Sequence, residues 1–249
     1  HLVHTLMGQW RWLTPALLLC AMVASGSDNS EISAQHQFML DAIRHSVRDS
    51  ADYTGRSELS PRVMQAMATV PREEFVLPEY RHLAYQNTPL PIEAGQTISQ
   101  PLIVALMTQL LDPKPDSVIL EVGTGSGYQA AVLAELVKHV YSIEIVPELA
   151  ASAADVLKEL DYDNVTVRAG DGYAGWPEHA PFDGIVVTAA APELPPPLLQ
   201  QLKPGAPLVI PVGEHLGYQE LLVVTVDENG EVDRKSVLPV RFVPLTGDR

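Results

Sequence analysis

The chain has 249 residues, of which 46% are hydrophobic, so it can bury a large core and falls outside the disordered class. Its 31 acidic and 16 basic side chains give a formal net charge of −15, which argues against nucleic acid as a partner because such a surface repels phosphates. A single cysteine cannot form an internal disulfide, and the eight scattered histidines form no metal-ligand pattern.

The N-terminal segment is expected to lie apart from the fold. Residues 13–24 read LTPALLLCAMVA, an apolar run of signal-peptide length that is short for a membrane span. Two interpretations stay open: a leader that exports the protein to the periplasm or tethers it to a membrane through residues 1–26, and an apolar N-terminal helix. Residues 25–33 are expected to be a linker.

The next part of the chain predicts three helices and one long loop. Two of these helices begin with serine as N-cap and proline at the first helical position, at Ser60-Pro61 and at Ser99-Gln-Pro101. The loop is rich in proline and turn residues and shows no clear period. The helices are expected at residues 34–49, 60–71 and 99–111, and the loop at residues 71–98.

From residue 117 onward, apolar strands alternate with helices, which predicts a parallel sheet covered on both faces. Two final strands around an Asp-Glu-Asn-Gly turn predict an antiparallel hairpin at the edge of that sheet. The fold class is therefore α/β, with an N-terminal helical extension. The strands are expected at residues 117–122, 139–144, 164–170, 182–190, 206–213, 219–226 and 235–243, and the helices at residues 127–137, 147–160 and 195–203.

A glycine-rich turn, LEVGTGSGY (120–128), follows the first of these strands and opens a helix. Such a turn lets the backbone approach a ligand closely at the carboxyl edge of a sheet. Its spacing, Gly123, Gly125 and Gly127, differs from the GxGxxG of dinucleotide sites. Glu121 disfavours a pyrophosphate and suits a cationic ligand such as S-adenosylmethionine, which carries a sulfonium and an ammonium group and no phosphate.

Two further acidic positions favour the same cofactor. Glu144 ends the second strand, where a carboxylate can accept hydrogen bonds from vicinal ribose hydroxyls. Asp171-Gly172 follows the third strand and could take the adenine amino group, although a simple turn explains it equally well. Acidic side chains at three strand ends predict an S-adenosylmethionine-dependent methyltransferase.

Six segments together resemble the protein-L-isoaspartate O-methyltransferase family over residues 34–247. They are VPREEFV (70–76), GQTISQP (95–101), LEVGTGSGY (120–128), GDG (170–172), PFDGIVVTAAAPE (181–193) and VRFVPL (240–245). The resemblance implies a Rossmann-like methyltransferase fold and S-adenosylmethionine as cofactor. It also implies a protein-repair enzyme that methylates the carboxyl group freed when asparagine or aspartate in a damaged protein or peptide rearranges to isoaspartate.

The resemblance assigns roles to residues on both sides of the reaction. Ser99 and Thr97 would be catalytic, with Ser99 positioning the reacting carboxylate, while Ile98 and Ile145 would contact the cofactor. Ser99 also makes a good N-cap, and the two roles are compatible because a helix N-terminus attracts a carboxylate. A carboxylate is already ionised at neutral pH, so no catalytic histidine or lysine is required.

The C-terminal segment Val240, Arg241, Phe242 and Val243 would lie along the substrate peptide, or form an ordinary strand. Main-chain pairing there would explain how many sequences around an isoaspartate are tolerated. Glu93 departs from the family pattern, in which a small residue is usual, and is expected to add negative charge near an anionic substrate.

One domain is expected over residues 31–249, after a leader and linker at 1–30. It would comprise N-terminal helices and a substrate loop (31–116), a cofactor-binding core (117–213) and C-terminal strands (214–249). We expect a monomer that binds no metal. We expect it in the cytoplasm, where the cofactor is made, with export as the alternative. Two alternative functions stay open: a small-molecule methyltransferase on the same scaffold, and an inactive cofactor-binding adaptor.

Overall fold

A computed structural model describes residues 16–248, with side chains described from residue 31 onward. The N-terminal part of the predicted leader, residues 1–15, lies outside the described residues. A single helix, α1 (Ala16–Asp49), runs through residues 25–33, where the sequence predicted a linker. Serine, asparagine and aspartate each cost a helix only about 0.7 kcal/mol or less relative to alanine, and Gly26 costs about 1 kcal/mol, so a helix that is favoured on both sides can continue through them. Within the described residues, no helix is long and apolar enough to cross a membrane.

The remaining described residues form six further α-helices, nine strands and several short 3₁₀ turns. The helices are α2 (Ala51–Thr54), α3 (Pro61–Thr69), α4 (Pro101–Leu110), α5 (Tyr128–Ala134), α6 (Pro147–Glu159) and α7 (Pro196–Gln200). The strands are β1 (Leu90–Pro91), β2 (Thr97–Ile98), β3 (Val118–Val122), β4 (His139–Glu144), β5 (Val165–Ala169), β6 (Gly184–Val187), β7 (Pro207–Gly213), β8 (Gln219–Val226) and β9 (Val232–Val240). The region predicted as a loop, residues 71–98, contains three of the 3₁₀ turns and the β1–β2 ladder.

The central sheet has the strand order β5-β4-β3-β6-β7-β8-β9. Its first five strands are parallel, and β8 and β9 join as an antiparallel hairpin, which confirms the predicted Rossmann-like α/β fold. The chain order reverses between β3 and β6, so a crevice opens at the carboxyl ends of these neighbouring strands. The glycine-rich turn follows β3 and lies at this crevice.

Two hydrophobic clusters pack on opposite faces of the sheet, because successive side chains of a strand point to opposite sides. Ile119 of β3 belongs to the cluster beneath α1 and α3–α6, whereas Leu120 and Val122 belong to the cluster beneath α7 and the 3₁₀ turns. The helices predicted on both faces are thus present. The second face, however, is covered mainly by short elements.

The last strand is shifted from its predicted range, 235–243, and ends at Val240. Its partner β8 begins at Gln219, whose Cα pairs with Val240. No backbone of β8 remains opposite residues 241–243, so these residues leave the sheet. Their position then depends on side chains and on other loops.

Candidate active site

The glycine-rich turn adopts backbone angles that favour glycine. Gly123 and Gly127 have φ values of 98° and 91°, in the region that other residues rarely adopt. A Cβ atom on Gly123 would also lie 2.5 Å from the hydroxyl of Thr188, which donates a hydrogen bond to the carbonyl of Gly123. The turn therefore packs directly against the end of β6, with its backbone open to the crevice.

A cavity surrounds this turn, and most of the predicted cofactor residues line it. The residues from that prediction that line it are Ile98, Gly123, Gly125, Glu144, Ile145 and Gly172, joined by the predicted catalytic residues Thr97 and Ser99. Three predicted residues, Glu121, Gly127 and Asp171, are outside the lining. Of the residues that the structure describes, Glu144 is the one with a charged side chain that lines the cavity. The cavity therefore favours a cation over a phosphate-bearing ligand.

The carboxylate of Glu144 fastens the turn to the end of β4. Its Oε2 accepts a hydrogen bond from the amide of Gly125 at 2.8 Å, and its Oε1 accepts one from the amide of Val146 at 3.1 Å. Each carboxylate oxygen can accept a second hydrogen bond. Glu144 can thus hold the turn and bind a ligand hydroxyl pair at once.

Glu121 lies beneath the turn and is fully buried. Its Oε1 accepts a hydrogen bond from the hydroxyl of Ser142 at 2.5 Å, and Ser142 also contacts Thr124, while Oε2 has no partner among the described residues. Burial raises the pKa of Glu121 to about 8, because a carboxylate loses its hydration there. With this pKa the carboxyl group of Glu121 is mostly protonated and uncharged at neutral pH, and Glu121 does not line the cavity, so the cation preference expected from its charge does not follow.

Asp171 forms a simple turn, which was the alternative to its predicted contact with the adenine amino group. One carboxylate oxygen accepts from the amide of Tyr173 at 2.9 Å, and the other accepts from the amide of Asp248 at 2.7 Å. Asp171 thus caps a 3₁₀ turn and holds the C-terminal segment. Gly172, its neighbour, is the member of the pair that lines the cavity.

A second, open groove of about 520 Å³ adjoins this cavity. Its lining includes all four residues predicted along the substrate peptide, Val240, Arg241, Phe242 and Val243. Arg241 has the one charged side chain in this lining within the described part of the chain. The two cavities share four lining residues: Thr97, Ser99, Thr188 and Val243. A ligand in the cavity and another in the groove would therefore meet at these side chains.

The structure corrects the capping role expected of Ser99. The N-cap of α4 is Gln100, and the amide of Leu102 donates instead to the side-chain oxygen of Asn87 at 3.0 Å. The side chain of Gln100 in turn donates to the main-chain carbonyl of Asn87 at 3.0 Å. With the cap supplied by a distant loop, the hydroxyl of Ser99 makes no hydrogen bond within the described residues and is free at the junction. The cap predicted at Ser60 is confirmed, since its hydroxyl accepts from the amide of Val63 at 3.2 Å.

Glu93 does not line the substrate groove. It is exposed and lies on a separate small cleft beyond Ile92, so the negative charge expected from Glu93 does not reach the described lining of the groove. Thr188, which was not among the predicted site residues, lines both cavities. Its position immediately after the buried strand β6 is a signal that could have identified it, because polar residues at the carboxyl ends of parallel strands often contact ligands.

A fully buried arginine, Arg72, braces the loop that carries Asn87. Its Nε donates to the carbonyl of Ala84 at 2.8 Å and its Nη2 to that of Thr88 at 3.4 Å. The guanidinium also lies 4.7 Å from the ring centroid of Tyr128, at the start of α5. Burial lowers the pKa of Arg72. The side chain of Arg72 thus links the loop at residues 84–88 to α5, the helix that follows the glycine-rich turn.

In the part of the chain that the structure describes, no group of three or more histidine, cysteine, aspartate or glutamate side chains could hold a metal ion.

Comparisons with known proteins agree on one family. Residues 52–249 match the profile described as protein-L-isoaspartate(D-aspartate) O-methyltransferase. The chain is 56% identical to protein-L-isoaspartate O-methyltransferase 2 of Syntrophobacter fumaroxidans, over 93% of this chain and 95% of that protein. It is 58% identical to the protein of the same name in Nitrosococcus oceani, over 85% of this chain and 96% of that protein.

Two solved structures resemble the fold. One is a protein-L-isoaspartate O-methyltransferase with a TM-score of 0.71 and 28% identity, over 82% of this chain and 66% of the other. The other is a Plasmodium falciparum protein assigned to the same family and solved in complex with S-adenosyl-L-homocysteine. Its TM-score is 0.66 at 28% identity, over 81% of this chain and 97% of the other.

Proposed function

The chain belongs to the protein-L-isoaspartate(D-aspartate) O-methyltransferase family, and we propose that its two adjoining cavities bind the two reactants of the methyl transfer, one in each cavity. The protein is an S-adenosylmethionine-dependent enzyme that methylates isoaspartyl residues of proteins and peptides. In our proposal the cavity around the glycine-rich turn takes the cofactor and the groove takes the isoaspartyl segment. The observation that carries this assignment is the junction at which Thr97, Ser99, Thr188 and Val243 line both.

The residues of the cavity fit S-adenosylmethionine, which supplies an electrophilic methyl group on a sulfonium. Among the described residues, no lysine or arginine lines the cavity to neutralise a phosphate, and the one charged side chain that lines it is acidic. The carboxylate of Glu144 would accept hydrogen bonds from the ribose hydroxyls, whereas the buried Glu121 would support the turn from beneath through its contact with Ser142. Gly172 has no room for a side chain, because a Cβ atom there would collide with Val122, which also lines the cavity.

On the acceptor side, the chain needs to orient a carboxylate that is already ionised. The free hydroxyl of Ser99 would donate to one carboxylate oxygen, and Thr97 offers a second hydroxyl nearby. The N-terminus of α4 follows directly and carries a partial positive charge, which also favours an anion. Rate enhancement would come from holding the acceptor oxygen in line with the methyl group and away from water.

The test is methyl transfer from labelled S-adenosylmethionine by the full chain to two synthetic peptides that differ only in isoaspartate or aspartate at one position. Base-labile label on the isoaspartyl peptide alone is expected, since a methyl ester at a carboxyl group is labile to base. If neither peptide is labelled while the cofactor still binds, the acceptor assignment is overturned. Label on both peptides would instead contradict the selectivity.

A further inference from the structure

The groove depends on a segment without a strand to pair with. Residues 241–243 continue past the end of β9, where β8 offers no further backbone. Phe242 and Val243 nevertheless line the groove, and Val243 also lines the cofactor cavity. Something else must hold this segment in place.

The side chain of Gln219 supplies the missing partner. Its Oε1 accepts a hydrogen bond from the amide of Phe242 at 2.7 Å, and its Nε2 donates to the carbonyl of the same residue at 3.2 Å. Nε2 lies 3.4 Å from the carbonyl of Glu214 as well, and Gln219 is only 2% exposed. One side-chain amide therefore makes both hydrogen bonds that an opposing residue makes in an antiparallel ladder.

This pairing decides which backbone groups remain free. The amide and carbonyl of Phe242 are both used by Gln219, and the carbonyl of Val243 accepts from the amide of Ala190 at 2.8 Å. In an extended chain, the backbone groups of neighbouring residues point to opposite sides, so those of Arg241 face away from Gln219. The main-chain groups of Arg241 have no partner within the described residues.

We infer that Gln219 is a positioning residue that holds residues 240–243 extended and leaves the backbone of Arg241 free to pair with the substrate peptide. The inference rests on the proposed function of the groove. Gln219 would touch neither the cofactor nor the reacting carboxylate, and would act through Phe242. Its loss should weaken binding of residues that flank the isoaspartate, because these are the residues that main-chain pairing would hold.

The test compares two isoaspartyl acceptors, a blocked dipeptide-sized acceptor and a peptide of roughly ten residues, which is long enough to span a sheet edge. Gln219→Met keeps the volume of the side chain and removes its hydrogen bonds, and Gln219→Glu keeps Oε1 and removes the donor. We expect each variant to raise KM for the long peptide about tenfold, as loss of about 1.4 kcal/mol would. The value of kcat and the Kd for the cofactor should stay near those of wild type, and the advantage of the long peptide over the short one should disappear.

Gln201 provides a matched control elsewhere in the fold. It is also a buried glutamine that pins a loop, accepting from the amide of Trp176 and donating to the carbonyl of Ala174, each at 2.8 Å. It lines neither the cavity nor the groove. Gln201→Met should lower stability to a similar degree without changing the ratio of KM values for the two acceptors. The same ratio in Gln219→Met and wild type would overturn the positioning role, as would an equal change in Gln201→Met.

Hydrogen exchange tests the same role without a substrate, and so separates it from the proposed function. The amide of Phe242, which donates to Gln219, should exchange faster in Gln219→Met than in wild type and remain unchanged in Gln201→Met. Unchanged exchange in Gln219→Met would overturn the inference even if the enzyme is active. An inactive wild-type enzyme with faster exchange in the variant would count against the proposed function and leave the positioning of the segment supported.

Discussion

The cofactor cavity takes Thr124, Glu144 and Thr188 from the ends of β3, β4 and β6, whereas the acceptor groove, which shares Thr188 and the other junction residues with it, is lined mainly by the start of α4 and by the C-terminal segment. Strand ends lie where the sheet holds them, so Glu144 and Thr188 need little further support. The groove depends on side chains that reach distant backbone: Asn87 to α4, Gln219 to Phe242 and Arg72 to the loop at Ala84. The cofactor side is thus fixed by the sheet, and the acceptor side by a few replaceable hydrogen bonds.

The largest expected effect is on the cofactor side, where Glu121 makes stability depend on pH. Its pKa in the folded state, about 8, lies above the ordinary value of 4.5, so the folded state holds the proton more tightly. The resulting stability is complete below about pH 4.5 and is lost as pH rises through about 8. At about 1.4 kcal/mol per pKa unit, the free energy of unfolding of wild type should fall by up to about 3 to 4 kcal/mol relative to Glu121→Gln between pH 5 and 8.

Urea unfolding of wild type and Glu121→Gln at pH 5, 6.5 and 8 measures this difference. Parallel pH profiles for the two proteins would contradict it.

On the acceptor side, Arg72→Ala should lower the free energy of unfolding by about 3 kcal/mol, because it empties a buried site and leaves two loop carbonyls without their donor. Arg72→Met fills much of the space and should cost less. Chemical denaturation measures both values. If the cofactor cavity and the acceptor groove are supported separately, folded Arg72→Met should bind the acceptor peptide more weakly than wild type and bind the cofactor with nearly unchanged affinity. Equal losses of both affinities would show that the two sides are not supported separately.

Ser99→Ala probes the junction itself. It should lower kcat about 100-fold, because an acceptor oxygen displaced by about 1 Å loses that much, while the Kd for the cofactor changes little. Single-turnover methyl transfer and cofactor titration measure the two quantities. Ser60→Ala is the control, since it removes a true helix cap at a cost of about 1 kcal/mol in stability and should leave kcat unchanged. Equal loss of turnover and cofactor binding in Ser99→Ala would remove its positioning role.

Glu144→Ala should have the smallest of these effects on activity, raising the Kd for the cofactor about tenfold through loss of charge-assisted hydrogen bonds. It also removes the acceptor of the Gly125 and Val146 amides, so its free energy of unfolding is measured alongside. The KM for the acceptor peptide should change little if the two sides are supported separately. Isothermal titration with S-adenosyl-L-homocysteine measures the affinity, with the exposed Glu159→Ala as a control for net charge. An unchanged Kd would remove Glu144 from the cofactor site.

The sequence could predict the cofactor cavity, which depends on strand ends, better than the acceptor groove, which depends on contacts between distant residues. Alternating apolar strands and helices predicted the parallel sheet, and polar residues at strand ends predicted Glu144 on the cavity, because both depend on local patterns. The cap on α4 was assigned to Ser99, since no local pattern shows that Asn87 reaches it across the fold. The range of β9 was misplaced for a similar reason: its end is set by where β8 begins, and the continuation is held by one glutamine side chain.

The strand β9 forms one edge of the sheet, and its exposed residues include Asp233, Arg234, Lys235 and Pro239. Charged residues and proline on an edge strand discourage a foreign strand from adding to the sheet, so this edge is protected from aggregation. Just beyond it, the backbone of Arg241 remains open over a single residue. The free backbone of one residue can pair with an extended peptide, but it is too short to pair with a strand of a folded protein. Isoaspartate within a helix or sheet of a target protein would therefore be repaired only as fast as that element locally unfolds.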